Sequence, residues 1–394
     1  MTGDWCLATA LLFLLAYTWV GYALLLWLVR RFFARPAARA AIFPRVSLIL
    51  PVHNEQERIG AKLEDCLRLD YPEGQLEILI VSDGSSDATD AIAGAFAKRD
   101  PRIHLLRTAG RAGKSGAQNL AIAQAKGDVL FLTDASVRTR PDTLKELVVH
   151  FADPQVGMVA GTVAFGEPDD AIARGQGLYW RFELFLRQME SDLGILATAS
   201  GSGLAMRRSL FRPLPPTYGD DCILPYDVRL QGYRVVHEAH ALLFDTMPHT
   251  IAGELKTRAR MTLRNWAGTL SRAALLNPLR FPGTALALIS HKLLRWLTPF
   301  ILFGLFLASA AVALRGGPAS PWALQAAFYI AALIGWRLTR AGRPAWVFGL
   351  PFAFCLANVG FFLGLLKALR GETIVAYQSG GSKGHAANEC SGRR

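Results

Sequence analysis

Val129-Leu130-Phe131-Leu132-Thr133-Asp134-Ala135-Ser136 is the stretch whose reading decides the fold. Four apolar residues run without a break into Thr133 and Asp134. An apolar run of this length that ends on a carboxylate is the pattern of a buried parallel strand delivering an acid to a sheet edge. Ligands of open α/β sheets bind beyond the carboxyl ends of the strands. Asp134 therefore stands where a metal ion or a phosphate group would be held.

Toward the amino terminus the pattern recurs. Val46–Val52 reads as a buried strand that ends in His53, Asn54 and Glu55, with a helical pattern to about Leu67. Leu76–Val81 is a second strand, ending in the S-D-G-S-S-D of Ser82–Asp87, and helix follows to about Lys98. Ile103–Leu106 is a short third strand. R-A-G-K-S-G-A-Q-N, Arg111–Asn119, then opens a helix to about Ala125. Strands alternating with helices predict a parallel or mostly parallel α/β sheet. Asp83 and Asp134 each end a strand of that sheet, so both lie along one rim. In its Gly- and Ser-rich context Asp83 also fits a plain turn former. The glycine-rich stretch is not a P-loop, because position 108 is Thr where that motif has Gly. G-x-G-x-x-G is absent after the first strand. Lys114, at a helix amino terminus, suits a phosphate and equally an ordinary surface turn.

Toward the carboxyl terminus, Met158–Ala164 fits a further strand, Ile172–Met189 has helical spacing, and Ala199–Arg208 is a turn entering a short strand. Gly219–Leu224 opens a helix that ends near Gly232. Asp220 and Asp221 at its start are helix caps or functional acids. From Leu255 to Ala274, apolar residues recur at helical spacing beside a basic line of Lys256, Arg260 and Arg264. That is an amphipathic helix suited to a bilayer interface, and its basic face also suits a diphosphate.

The hydrophobic fraction of 52% is unevenly spread. Leu7–Val29, Trp296–Leu314 and Ala345–Leu366 carry no charge and are long enough to cross a bilayer, and Pro321–Trp336 is a shorter fourth span. No Lys or Arg precedes the first span, whereas Arg30, Arg31, Arg35, Arg39 and Arg45 follow it. This favours an anchor over a signal peptide, with the globular part in the cytoplasm. Four spans put the tail outside, yet Lys367 and Arg370 after the last one favour inside. The net charge of +12 concentrates in Leu255–Arg295, which holds eight basic residues and no acid. Because this segment runs into a span, it reads as a collar against anionic lipid and not as a nucleic-acid site. His291–Trp296 reads as an interfacial anchor. The five cysteines are scattered without a C-x-x-C pair, so a zinc or disulfide framework is unsupported and free thiols fit a reducing compartment.

Five motifs stand in order: P-V-H-N-E at Pro51–Glu55, S-D-G-S-S-D at Ser82–Asp87, G-K-S-G-A-Q-N at Gly113–Asn119, T-D-A-S at Thr133–Ser136 and G-D-D at Gly219–Asp221. On these, over roughly Val46–Trp296, the chain resembles membrane-anchored members of glycosyltransferase family 2, among them bacterial synthases of cellulose, hyaluronan and poly-N-acetylglucosamine. The resemblance implies an α/β GT-A catalytic domain, a Rossmann-like mixed sheet, with transmembrane helices on both sides. It implies a nucleotide-sugar donor, expected to be UDP-linked, and a glycan or lipid-linked acceptor. Pro51, His53, Asn54 and Glu55 would surround the nucleoside and Asp83 its base. Lys114 would lie near the diphosphate, with Asn119, Arg264 and Trp266 completing the substrate-binding set. Asp134, with Ser136, would hold Mg²⁺ or Mn²⁺, and Asp221, beside Asp220, would be the catalytic base.

Two departures are visible. The family's D-x-D is D-x-S here, so one carboxylate is missing; His249 is a candidate helper. The family's Q-x-x-R-W is Thr262-Leu263-Arg264-Asn265-Trp266, which argues for addition of a single sugar over chain extension. The expected layout is an anchor at 1–30, a basic linker at 31–44, a catalytic domain at 45–250, basic interface helices at 251–295, three spans at 296–366 and a polar tail at 367–394. The expected setting is a bacterial-type inner membrane, with membrane lipid and partner proteins of a polysaccharide export system. The alternatives are a polyprenyl-phosphate sugar transferase and an inactive nucleotide-binding subunit of an export system.

Overall fold

The computed structural model describes residues 2–165, 171–245, 250–343 and 345–373. His249 and most of the polar tail lie outside them. Helix α1 (Thr2–Ala16) continues through a π turn, Tyr17–Gly21, into α2 (Tyr22–Phe33). The chain then alternates as the apolar runs predict: β1 (Val46–Val52), α3 (Ile59–Leu67), β2 (Leu76–Ser82), α4 (Thr89–Arg99), β3 (Ile103–Arg107), α5 (Gly113–Gln124) and β4 (Val129–Thr133). These four strands are parallel. Both faces of β1, β2 and β4 are covered, which is why these strands are mostly apolar: Val129 and Phe131 enter one core layer, Leu130 and Leu132 the other.

Beyond β4 come β5 (Arg138–Thr139), α6 (Thr143–Val148), β6 (Val156–Phe165), α7 (Ala171–Asp192), β7 (Gly203–Arg207), α8 (Asp220–Leu230) and β8 (Arg234–Asp245). The sheet runs β3-β2-β1-β4-β7-β6-β8-β5. Strand β7 is antiparallel to both β4 and β6, while β6 and β8 are parallel. The sheet is therefore mixed, and β7 brings its amino end beside the carboxyl end of β4. Strand β8 is not evident in the sequence, because His237 and Glu238 interrupt its apolar run. Both are buried, and Glu238 pairs with His150 at 2.6 Å.

The carboxyl-terminal part is helical: α9 (Ile251–Ser271), α10 (Pro282–Ala287), a π turn at Leu288–Leu293, α11 (Leu294–Leu314), α12 (Ser320–Arg340) and α13 (Trp346–Leu369). Three helical stretches among the described residues are long and apolar enough to cross a membrane: Gly3–Phe33, Pro282–Leu314 and Val347–Leu369. This corrects three expectations. Helix α12, the expected short span, forms but is not among them. The second of these apolar helices begins at Pro282 and not near Trp296, and His291 and Arg295 are buried within the protein. Their charges end the uncharged run in the sequence, but acidic partners on α7 allow the helix to continue through them. Much of the apolar side of helix α9 is turned toward other helices, although Met261 and Leu270 are exposed. Leu255 packs with Phe352 and Leu356, and Trp266 meets Trp296 edge-on at 6.2 Å. The crossing with α13 is close because Gly360 and Gly364 lack side chains. A Cβ at Gly364 would lie 2.7 Å from the Ala259 carbonyl oxygen.

Candidate active site

Two turns beyond the parallel strands interlock. Asn54, in the left-handed region at φ 53°, a conformation asparagine tolerates, accepts the Ser86 N–H at 2.8 Å. Glu55 N–H donates to Thr89 Oγ1 at 2.8 Å, and His53 Nδ1 lies 2.7 Å from the Asp83 carbonyl oxygen. The other His53 nitrogen faces Arg111. Pro51, half-buried in β1, and the buried Glu55 carboxylate complete this cradle.

The buried Asp83 accepts main-chain N–H groups of Ala112 (2.6 Å) and Gly113 (2.9 Å), one on each oxygen, and the Thr108 hydroxyl at 3.2 Å. It caps α5 and fixes the glycine-rich loop. Its hydrogen bonds in this structure are thus those of the turn former, made at a distance of thirty residues.

That capping aims Lys114 at the rim. Its Nζ lies 2.8 Å from Asp134 Oδ1 and 2.9 Å from Asp220 Oδ2. One turn on, Gln118 donates to the same Asp220 oxygen at 2.9 Å. Arg264 reaches across from α9 to the Tyr218 carbonyl and places its charge near both acids of α8. Ser202 donates to Asp134 Oδ2 at 3.3 Å, and Ser136 is exposed beside it. Gly201 lies against Asp220, Asp221 and Lys114; a Cβ there would stand 3.5 Å from the Asp221 Cβ.

The electrostatics divide the two adjacent acids. Burial alone would raise the Asp220 pKa, but Lys114, Gln118 and Arg264 hold it below the ordinary aspartate value. Asp221 moves the other way: its enclosed position and the Asp220 charge raise it, against opposing pulls from Arg264, Lys114 and Arg187. Burial would lower the Lys114 pKa, but Asp134 and Asp220 keep it above the ordinary lysine value. One acid of the pair is therefore committed to a lysine and the other is poised to take a proton.

The structure thus brings together Lys114, Asp134, Asp220, Asp221 and Arg264, with Ser136 exposed two residues after Asp134. It gives other tasks to two expected substrate-binding residues. Asn119 is used up in a reciprocal pair with the Leu214 main chain, at 3.0 and 2.8 Å, and Trp266 packs among the carboxyl-terminal helices. Residues that sequence reasoning missed are Gln118, Gly201, Ser202 and Asn265, whose oxygen faces the Gly219 backbone beside Asp221. Gln118 was findable, since it lies four residues after Lys114 on one helical face. Lys62 was also missed. Fully buried on α3, it donates to Thr133 Oγ1 (2.9 Å) and the Val137 carbonyl (2.6 Å), holding the Asp134 turn from below.

Among the described residues no three His, Cys, Asp or Glu side chains gather as a metal cage. Magnesium and manganese sites for nucleotides need fewer: one or two carboxylates, waters and the phosphates themselves. Asp134, 30% exposed and bonded by the Ser202 hydroxyl, fits a cation that arrives with a diphosphate.

The family model "Glycosyl transferase family 2" matches residues 47–214. An N-acetylglucosaminyltransferase of Rhizobium meliloti (strain 1021) is 30% identical over 310 residues, covering 72% of this chain and 68% of that protein. A beta-monoglucosyldiacylglycerol synthase of Synechocystis is 30% identical over 200 residues, covering 49% of this chain and 42% of that one. The poly-beta-1,6-N-acetyl-D-glucosamine synthase of Staphylococcus epidermidis is 26% identical, covering 55% and 53%. The chain thus spans less than two thirds of the length of the Synechocystis and Staphylococcus relatives. Among solved structures, the mannosyltransferase PcManGT from Pyrobaculum calidifontis, in complex with GDP-Man and Mn²⁺, superposes with a TM-score of 0.71 at 24% identity, over 93% of this chain and 99% of that one. That likeness establishes the GT-A fold. With its family motifs converging on one rim of that sheet, the chain is a member of glycosyltransferase family 2.

Proposed function

We propose that this protein is a membrane-embedded inverting glycosyltransferase that moves one sugar from a nucleoside-diphosphate sugar to a hydroxyl of a glycan or a lipid-linked acceptor. The observation that carries this reading is Lys114, within 3 Å of both Asp134 and Asp220, which ties three separate motifs into one cationic and acidic centre. In the reaction the diphosphate departs and the acceptor hydroxyl attacks the anomeric carbon from the opposite side. Asp221, with its raised proton affinity, takes the hydroxyl proton. Asp220 holds Lys114 in place, and Lys114 and Arg264 face the charge that builds on the departing diphosphate. Asp134 and Ser136 would hold Mg²⁺ or Mn²⁺, which supplies further charge neutralisation at the diphosphate oxygens. Support for a divalent cation comes from PcManGT, whose complex contains Mn²⁺.

The expected donor is UDP-linked, and a hexose or N-acetylhexosamine as its sugar is in keeping with the names of the relatives. Asn265, in place of the arginine of chain-extending members, favours one addition per encounter. The expected location is the inner membrane of a bacterial cell, with the catalytic domain in the cytoplasm. Three spans in place of four bring the tail to the same side as the catalytic domain, in agreement with Lys367 and Arg370. Membrane lipid and proteins of a polysaccharide export system are the expected partners.

The test is release of nucleoside diphosphate by membranes carrying wild type or Asp221→Asn, offered a panel of nucleotide sugars with Mg²⁺ or Mn²⁺. Turnover of one donor, lost in the variant, is expected, with a product one sugar longer than the acceptor. Turnover that survives in Asp221→Asn with a lipid phosphate as acceptor would replace the hydroxyl-acceptor reading, since a phosphate oxygen needs no base.

A further inference from the structure

A second set of buried charges lies on α7. Glu183 is 2% exposed and has four basic partners: Arg187 on its own helix at 3.0 Å, and His291, Lys292 and Arg295 from the start of the second span at 2.8, 2.5 and 2.8 Å. Burial alone would raise its pKa; His291, Lys292 and Arg187 hold it well below the usual carboxylate range. Two turns on, Glu190 meets His291 Nδ1 at 2.7 Å and accepts from Tyr22 Oη at 2.9 Å. The Arg295 guanidinium lies 5.3 to 5.5 Å from the rings of Trp19, Phe182 and Tyr179. The amino-terminal helix, α7 and the second span are therefore joined through two carboxylates.

Arg187 faces both ways. Its Nε and Nη2 serve Glu183, while Nη1 donates to Ser200 Oγ at 2.7 Å. Ser200 opens the Ser200-Gly201-Ser202 turn, which carries the Ser202 bond to Asp134 and the contact of Gly201 with Asp220 and Asp221. A planar guanidinium can grip a carboxylate and a hydroxyl at once; an ammonium on a flexible stem grips them less exactly in direction.

We infer that Arg187 is a positioning residue of the transfer site: gripped by Glu183, it holds the Ser200–Ser202 turn against Asp134, Asp220 and Asp221, so that the packing of the second span sets the geometry of the acid pair. This rests on the reading of Asp221 as the base. The groups facing Asp221 are Asp220 and Cys222 on α8, Lys114 from α5, Arg264 from α9 and Arg187 from α7, with Tyr226 a turn further along. Those facing Arg187 are Glu183, His237 from β8 and the Trp180 ring at 5.2 Å.

The experiment uses the full chain in membranes, with the donor that the wild type turns over. The kcat and the pH profile of kcat/KM are measured for Arg187→Gln, Arg187→Lys and Ser200→Ala, with melting temperature in detergent. Arg187→Gln is expected to lose about tenfold or more in kcat, as small displacements at a reacting centre do. Its acidic limb is expected to move upward by a few tenths to about one pH unit, because a cation near the base is gone. Arg187→Lys keeps the charge, so its limb stays in place while the rate falls. Ser200→Ala cuts the link without touching the Glu183 cluster; it is expected to lose rate at unchanged melting temperature. If Arg187→Gln does not fold, the other two variants decide. A wild-type rate in Ser200→Ala, or a lower melting temperature in Arg187→Gln with its limb unmoved, overturns the inference alone. Persistent turnover in Asp221→Asn overturns the reading of Asp221 as the base and the inference with it, while no turnover in wild type with any donor overturns the transferase reading itself.

Discussion

Lys114→Met removes the ammonium that two acids share while keeping much of its volume. Asp134 is 30% exposed, so losing its ion pair costs at most about 1 kcal/mol. Asp220 is buried, and without Lys114 its carboxylate keeps Gln118 and the more distant Arg264 charge. Breaking a buried pair by removing one partner costs about 3–5 kcal/mol. The remaining partners reduce that to about 2–4 kcal/mol. For a domain of this size this is a drop of roughly 5–15 °C in melting temperature. The sign with pH follows from Asp220. Its folded-state pKa is depressed while Lys114 is present, so its contribution to stability exists above the ordinary aspartate range and fades as pH falls through the folded value. In the variant Asp220 takes a proton more readily, so the deficit is largest at pH 7–8 and shrinks toward pH 4. Adding Asp220→Asn to Lys114→Met removes the stranded charge and should recover about half of the loss, which a double-mutant cycle measures. The assay is thermal unfolding of the detergent-solubilised chain at several pH values. A melting temperature within about 2 °C of wild type at pH 7.5, or a deficit independent of pH, would refute the reasoning.

Further outcomes are expected on the same grounds. Asp221→Asn should lower kcat by about 10²–10⁴-fold with melting temperature unchanged or raised, since it removes one of two adjacent like charges. In the wild type, the acidic limb of kcat/KM should lie above the ordinary aspartate pKa of about 3.9. Lys62→Met leaves Thr133 and Val137 without their buried donor; a donor KM raised several-fold, at a stability change under about 2 kcal/mol, is the expected pattern in a titration of initial rates. Gly364→Leu forces a Cβ toward the Ala259 carbonyl and should loosen α9 from α13, costing about 1–3 kcal/mol, with faster limited proteolysis of α9 as the readout.

Periodicity carried the parallel half of the sheet. Its central strands are covered on both faces, so they show as mostly apolar runs that end in an acid or a polar turn. The antiparallel half is harder to see, because its strands hold buried polar groups whose partners are distant: Glu238 in β8 needs His150, eighty-eight residues away. The same physics hides the start of the second long apolar helix. His291, Lys292 and Arg295 look like a headgroup anchor until Glu183 and Glu190 are seen to neutralise them, more than a hundred residues upstream. The apolar side of α9 looks like a lipid-facing surface until α13, about ninety residues on, is found covering part of it.

The sequence alone determined the class of fold, the order of its motifs, the presence of apolar spans on both sides, and most of the residues at the rim, since each is encoded in local spacing. Tertiary structure decided what those residues do to one another. It showed that Asp83 caps α5, that Lys114 bridges Asp134 and Asp220, that Asp221 is the acid left with raised proton affinity, and that Arg187 reaches from a buried charge cluster to the turn over that acid. These depend on contacts between groups tens to hundreds of residues apart. A pKa or an ion pair is set by distance and burial in space, which spacing along the chain does not encode.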